Sequence, residues 1–479
     1  MGLELAKSDF TQEDFDQFSS LLHRETLQLL EWLKSDQFSH RGYSAGIELE
    51  GWLIDPYGRP VAANQEFLRR MAHPQIQCEL SQYNVEINSR PVELSRFGLS
   101  QLQSELTDLT GKCRQLATSL GQEFVAIGTP PTLQREMMGL ESMTPSKRYR
   151  ALNDSVFPAH QTSGHLLHMT GREELKLQLG DVMMASAATS LQFHLKAPAD
   201  RILYLLNAAQ IVAAPMVALS ANAPFLLGKD LWMESRIPLF EHVLNGARSK
   251  RDKSQVSRVS FGRAYVQESL AEYFLDNLHN FPILLPDRSD RDIQEMAHLS
   301  LHNGTIWRWN RLVVGFEESG QPHLRIEHRP PSSSPTPMDA VADLAFFVGL
   351  TVAVSHQVRD FEKDFPFQLM RRNFYRAAKF GLDTEVYWAH GHRVNLRDLL
   401  LRELIPQAKS GLLTIGVPAE EIQTYIDHII LPRVLSGQTG AQWQRDFIAQ
   451  NGPDSFDKLI LTYLARQKSA LPVHLWEGL

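Results

Sequence analysis

Four short segments of the chain alternate apolar residues with side chains of the kind that bind ions, and nothing else in the sequence constrains the fold as much. Successive side chains of a β-strand point to opposite faces, so residues two apart share a side. In GIELEGWLID, Ile47, Leu49 and Leu53 share one face while Glu48 and Glu50 share the other. QYNVEIN sets Val85 and Ile87 against Asn84, Glu86 and Asn88, and SLQFHL sets Leu191, Phe193 and Leu195 against Gln192 and His194. HLRIEHR opposes Leu324 and Ile326 to Arg325, Glu327 and Arg329. An antiparallel sheet with one packed face and one wet face satisfies all four patterns.

For any single strand, a solvated polar face needs no function. The four together read differently, because their polar faces carry Glu, Gln, His and Arg in place of the Thr, Ser and Lys mixture of a plain surface. Glu48 and Glu50 repel each other unless a cation sits between them, and hard oxygen ligands point to Mg²⁺ or Mn²⁺ over zinc. Gln192 can add a neutral ligand, whereas His194 taken alone also fits a core histidine. Carboxylate-held magnesium with arginines nearby suits the phosphates of a nucleotide. The candidate anion clamps are Lys147 and Arg148 in PSKRYR, Arg236 in MESRIPLFE, and Arg308 with Arg311 in TIWRWNR, although each alone also fits an exposed position. The chain has no GxxxxGK[ST] motif and no GxGxxG after a strand, so an ATP site here needs another architecture.

The rest of the chain supplies a framework. Apolar residues at 102, 106, 109, 113, 116 and 120 form the stripe of an amphipathic helix, which places Cys113 in the core. Phe15, Phe18, Leu22, Leu29 and Leu33 predict a further helix near the start. Ile202–Leu219 and Val341–Val354 are apolar enough to suggest membrane spans, but Asn207, Gln210, Pro215, Asp343 and Gly349 interrupt them, and buried helices are expected. PPSSSPTP at 330–337 ends a strand. Beyond Val354 the pattern is mainly helical, with a helix start at Pro418–Glu421; the expected division is a catalytic domain at 1–395 and a helical C-terminal subdomain at 396–479.

With 55 acidic against 48 basic residues the net charge is −7, which implies no basic face for nucleic acid. Two cysteines, Cys78 and Cys113, are too few for a disulfide scaffold, and the acidic N-terminus does not resemble a signal peptide; a cytoplasmic, membrane-free location is expected.

Taken in order, the motifs resemble glutamate-cysteine ligase family 2, the carboxylate-amine ligases whose catalytic domain is similar to that of glutamine synthetase. GIELEG resembles the family's opening Gly-x-Glu-x-Glu strand, and ELSQYNVEIN its Glu-x-x-x-x-x-x-Glu-x-Asn segment. PSKRYR is similar to its Pro-x-x-Arg-Tyr loop, TSLQFH to its paired-ligand strand, and LSANAPF with SRIPLFE to its substrate region. RIEHRPPSSSPT resembles the late Glu-x-Arg strand and NFYRAAKFG the Asn-x-x-x-Ala-x-Arg-x-Gly helix, with Lys379 where arginine is frequent and Gln192 where histidine is common.

The resemblance implies an α+β fold: a curved antiparallel sheet forming a half-barrel, glutamine synthetase-like, flanked by helices, with ATP and Mg²⁺ or Mn²⁺ on its concave face. Glu48, Glu50, Glu86, Gln192, His194 and Glu327 would surround the metal. Arg236, Arg308 and Glu327 would be catalytic, and Arg148, Tyr149, Arg311, Arg325, Arg329 and Asn373 would line the substrate and nucleotide site. The implied reaction joins the γ-carboxylate of L-glutamate to an amine such as L-cysteine through an acyl phosphate, with small molecules as the only implied partners and no implied oligomeric state. A metal-dependent hydrolase built on the same acids is the alternative enzyme, and a non-catalytic relative that binds nucleotide is a third reading.

Overall fold

The computed structural model describes residues 4–158, 165–245, 257–358 and 360–477. One eight-stranded sheet comprises β1 (Ser44–Ile54), β2 (Ile76–Cys78), β3 (Asn84–Asn88), β4 (Val92–Glu93), β5 (Glu123–Val125), β6 (Leu191–Lys196), β7 (Asn310–Phe316) and β8 (Pro322–His328), and the four alternating segments become β1, β3, β6 and β8. The main path runs β7–β8–β6–β1–β3–β2 with antiparallel pairing throughout, and β4 and β5 also pair with β1. The sheet curls into the expected half-barrel. β5 can cross β1 closely because position 51 is glycine; a Cβ there would lie 2.3 Å from the Phe124 ring.

The apolar face of the sheet is sealed. Ile47, Leu49, Val85, Ile87, Phe193, Leu195 and Ile326 are all buried, as the alternation requires. Two long helices back this face: α3 (Ile202–Leu219) lies on β7 and β8, and α4 (Pro337–Gln357) lies on β6. Both are long and apolar enough to cross a membrane, yet 89% and 94% of their most apolar windows are buried inside the protein, as core helices would be. Asn207, one of the residues that spoke against a membrane, bonds the main chain of Val266 through both ends of its amide, at 2.7 and 3.0 Å.

The amphipathic stripe forms α2 (Gly98–Ser119), with Leu102, Leu106, Leu109 and Cys113 buried. Burial pushes the Cys113 thiol up to about 12, which suits a core residue and not a nucleophile. The early stripe forms α1 (Gln12–Lys34), capped by a reciprocal Thr11 and Asp14 box. PPSSSPTP follows β8 directly, and its Thr336 caps α4 by accepting from the Asp339 N–H at 3.1 Å.

Residues beyond Leu396 are helical and share the apolar core of the sheet. The closest junction is between α4 and α5 (Ile405–Thr414), where Gly349 and Gly411 face each other. A Cβ on Gly411 would sit 1.9 Å from the Gly349 carbonyl, so the two backbones touch only because both side chains are absent. Arg433 adds a buried polar tie, reaching Asp339 of α4 at 2.7 Å and Asp343 beside it.

Candidate active site

The pairing register turns four sequence patterns into one surface. Glu50 lies opposite Glu86, Glu48 lies between Asn88 and Gln192, and Glu327 lies between His194 and Arg311. Acids from Glu48 to Glu327, far apart in sequence, therefore occupy adjacent ranks on the concave face, opening into a cavity of about 810 Å³. The helix Lys147–Val156 adds Arg148 and Tyr149 to the wall, and the segment Glu4–Ala6 lines it as well.

At one end of the floor, Glu50, Glu79 and Glu86 bring carboxylate oxygens within 4.8 Å of one another. Burial and the neighbouring charges of Glu86 and Glu50 push Glu79 well above the usual carboxylate range. Burial, with Glu48 and Glu50 nearby, raises Glu86 to about 7. Burial also raises Glu50, against the opposing effect of its bonds from Ser190. Such a cluster is expensive when ionised and empty-handed, and a divalent cation would relieve it. Three hard oxygen donors without thiolate or imidazole fit Mg²⁺ or Mn²⁺.

At the other end the acids are already matched. The burial of Glu48 opposes its charge, but the pairing with His194 at 2.8 Å wins and holds it down to about 2. Glu327 likewise overcomes burial through Arg311, 2.7 Å away, and Arg329, and its carboxyl stays well below the ordinary range. Arg329 also reaches the Gln192 amide oxygen. The His194 tautomer follows from its neighbours. Arg325 can only donate, so Nδ1 of His194 accepts from the Arg325 Nε at 3.2 Å and Nε2 carries the hydrogen toward Glu48. Both ring nitrogens are thus engaged within the protein.

Of the residues singled out in sequence, Glu48, Glu50, Glu86, Gln192, His194, Glu327, Arg148, Tyr149, Arg311, Arg325 and Arg329 line this one cavity. Arg236, Arg308 and Asn373 are not among its lining residues. Arg236 is buried behind it, donating to Glu234 at 2.9 Å and to the Pro330 carbonyl, although its charge is felt at Glu50. Arg308 donates to Asp276 and Asn277 and stacks 4.4 Å from the Tyr273 ring centroid. Asn373 spends both ends of its amide on the main chain of Tyr387, at 2.6 and 2.8 Å. Lys147 is turned to the Ala6 carbonyl at 2.8 Å.

The residue that strand reasoning missed is Glu79. It sits one position beyond β2, where no alternation assigns a face, and its only signal was its place as the first residue of ELSQYNVEIN.

Comparison with known proteins agrees with this geometry. The sequence profile of glutamate-cysteine ligase family 2 matches residues 44–458. A glutamate–cysteine ligase of Natronomonas pharaonis is 22% identical over 88% of this chain and 96% of its own length. A putative glutamate–cysteine ligase 2 of Chloroflexus aggregans is 24% identical, but the match spans only 40% of this chain and 43% of that protein. Among solved structures, the glutamate–cysteine ligase of Francisella tularensis in complex with AMP superposes with a TM-score of 0.58 over 92% of this chain and 90% of that one, at 12% identity, which speaks for the fold. The chain belongs to glutamate-cysteine ligase family 2, a family of ATP-dependent carboxylate-amine ligases.

Proposed function

We propose that the protein phosphorylates the γ-carboxylate of L-glutamate with ATP and then lets an amine, L-cysteine in the leading reading, displace phosphate to form an amide. The products are γ-glutamylcysteine, ADP and phosphate, the chemistry that opens glutathione synthesis, and the setting is cytoplasmic. One observation carries the reading: a cluster of three glutamates and a set of arginines line a single cavity on the concave face of a half-barrel. The relative solved with AMP supports adenine nucleotide as the phosphoryl source.

A carboxylate resists attack by an amine, whereas an acyl phosphate offers a good leaving group. Mg²⁺ or Mn²⁺, when bound, supplies neutralisation of charge on the transferring phosphoryl oxygens. Glu50, Glu79 and Glu86 would hold one ion, and Glu48, Gln192 and Glu327 have the chemistry to hold another. Arg148, Arg311, Arg325 and Arg329 give the cavity fixed positive charge against which phosphate and carboxylate groups can be oriented. Glu4–Ala6 and Tyr149 line the same cavity, where they would help to keep out water that could hydrolyse the activated acid.

The test is phosphate release from ATP with carboxylates and amines added in pairs, with the product identified by mass spectrometry. Release that requires L-glutamate and L-cysteine together is the expected result. Turnover without ATP would replace the ligase with a hydrolase, and release with a different amine would move the acceptor.

A further inference from the structure

We propose that Ser190 is a positioning residue for Glu50, fixing the carboxylate at which the cation of the preceding reading binds; the inference rests on that reading. Ser190 immediately precedes β6, and the register that pairs Leu49 with Leu191 makes Glu50 its cross-strand neighbour. In an antiparallel ladder every second pair of opposite residues exchanges both main-chain hydrogen bonds, and the bond that Glu50 makes to Ser190 marks this pair as one of them. Here only one is made, from the Glu50 N–H to the Ser190 carbonyl at 3.1 Å. The Ser190 N–H is diverted to Oε2 of the Glu50 side chain at 2.8 Å, and the Ser190 hydroxyl donates to Oε1 at 2.6 Å.

The Glu50 carbonyl that loses its ladder partner is not left bare. Ser333, from the serine run after β8, donates its hydroxyl to it. That gives a local reason for serines in PPSSSPTP, which turn formation alone did not supply. The sheet has therefore exchanged a routine ladder bond for a two-point grip on one carboxylate, with a substitute donor behind it.

The grip decides which atom is free. Oε1 accepts from Ser190 and from the Gln192 amide at 3.2 Å, which fills its two lone pairs. Among the described residues, Oε2 accepts only from the Ser190 N–H, so it keeps one lone pair for a cation. Without the hydroxyl, Glu50 could rotate away from Glu79 and Glu86, the direction in which like charge would push it. Groups that orient metal ligands in this way typically change affinity 10–100-fold when removed.

The experiment is Mn²⁺ titration of the full-length protein without nucleotide, followed by electron paramagnetic resonance of the free ion, with thermal midpoints recorded beside it. Ser190→Ala is expected to weaken Mn²⁺ about tenfold or more, while Ser190→Thr, which keeps a hydroxyl, restores most of the affinity. Equal affinity in wild type and Ser190→Ala overturns the positioning role and leaves the cation reading standing. Equal loss in Ala and Thr variants also overturns it, because the hydroxyl is then not the cause. No Mn²⁺ binding by the wild type overturns the cation reading itself. Should Ser190→Ala fail to fold, Ser190→Cys, of similar size with a poorer donor, serves in its place and is expected to bind more weakly than Ser190→Thr.

Discussion

Where β1 meets β3, three glutamates lie together and burial raises the proton affinity of each, with like charge adding to it at Glu79 and Glu86; on the other side of the floor, Glu48 and Glu327 sit against His194, Arg311 and Arg329 and are held ionised. Both groups are carboxylates in the same cavity. The contrast shows that residue type and position on a strand face do not fix the state of an acid; its cross-strand neighbours do. Glu86 has the Glu50 carboxylate opposite it, which worsens its ionisation, whereas Glu327 has Arg311 opposite on one side and His194 on the other. The first end is built to gain from an incoming cation. The second is balanced before any ligand arrives, and a cation there must share Glu327 with two arginines.

The sharpest way to break this contrast is to neutralise one acid at the unbalanced end. Glu50→Gln should lower ligase turnover on the order of 10³-fold or more, because the ion's contribution to the transferring phosphoryl group is worth several kcal/mol. The same change should raise the metal-free melting temperature at pH 8, since it removes repulsion. Retained turnover, or a lower melting temperature, would contradict the assignment of this end as a cation site.

The opposite sign is expected at the balanced end. Arg329→Met leaves the buried Glu327 with one arginine and strips the Gln192 amide oxygen of its donor, so stability should fall by about 3 kcal/mol in urea denaturation. A neutral or stabilising result would mean that Arg311 alone compensates Glu327.

Acidity separates the two ends within one wild-type sample. Glu48 titrates at about 2 when folded against an ordinary value of 4.5, so the folded state holds fewer protons there and stability rises with pH across that window. Glu86 titrates at about 7 against the same ordinary value, so the folded state holds more protons and stability falls as pH rises from 4.5 to 7. Metal-free melting temperature should therefore rise and then fall with pH, and 10 mM Mg²⁺, in molar excess over the protein, should remove the fall but not the rise. A fall that persists in Glu86→Gln would assign it to other groups.

The legibility of these features in the sequence followed the reach of each physical rule. Alternation has a period of two, so it found Glu48, Glu50, Glu86, Gln192, His194, Arg325 and Glu327 and the apolar face that packs on α3 and α4, whereas Arg311 of β7 was marked only by its charge type. Glu79 escaped because it lies just past a three-residue strand, where its direction depends on a loop. The diverted bond of Ser190 was equally invisible, since it depends on how β8's trailing serines return to β1. Arg308 shows the reverse case. Its charge type suited a phosphate clamp, but a side chain's partner is set by folding, and Asp276 with Asn277 claims it.

The smallest expected effect concerns Asn373, which tests the boundary of the site. Its amide pins the strand Glu385–Trp388 to the helix Phe367–Phe380 by a two-way bond with the Tyr387 main chain. Asn373→Ala should cost about 1–2 kcal/mol of stability, read by urea denaturation, while the KM for ATP of the folded fraction stays within about twofold of wild type, a difference of less than 0.5 kcal/mol. An intact stability with a large rise in that KM would bring Asn373 into the nucleotide site and extend the cavity's working wall to that helix. The expected pattern instead confines nucleotide chemistry to the curved sheet and the segments that line its hollow, with this helix acting as a brace.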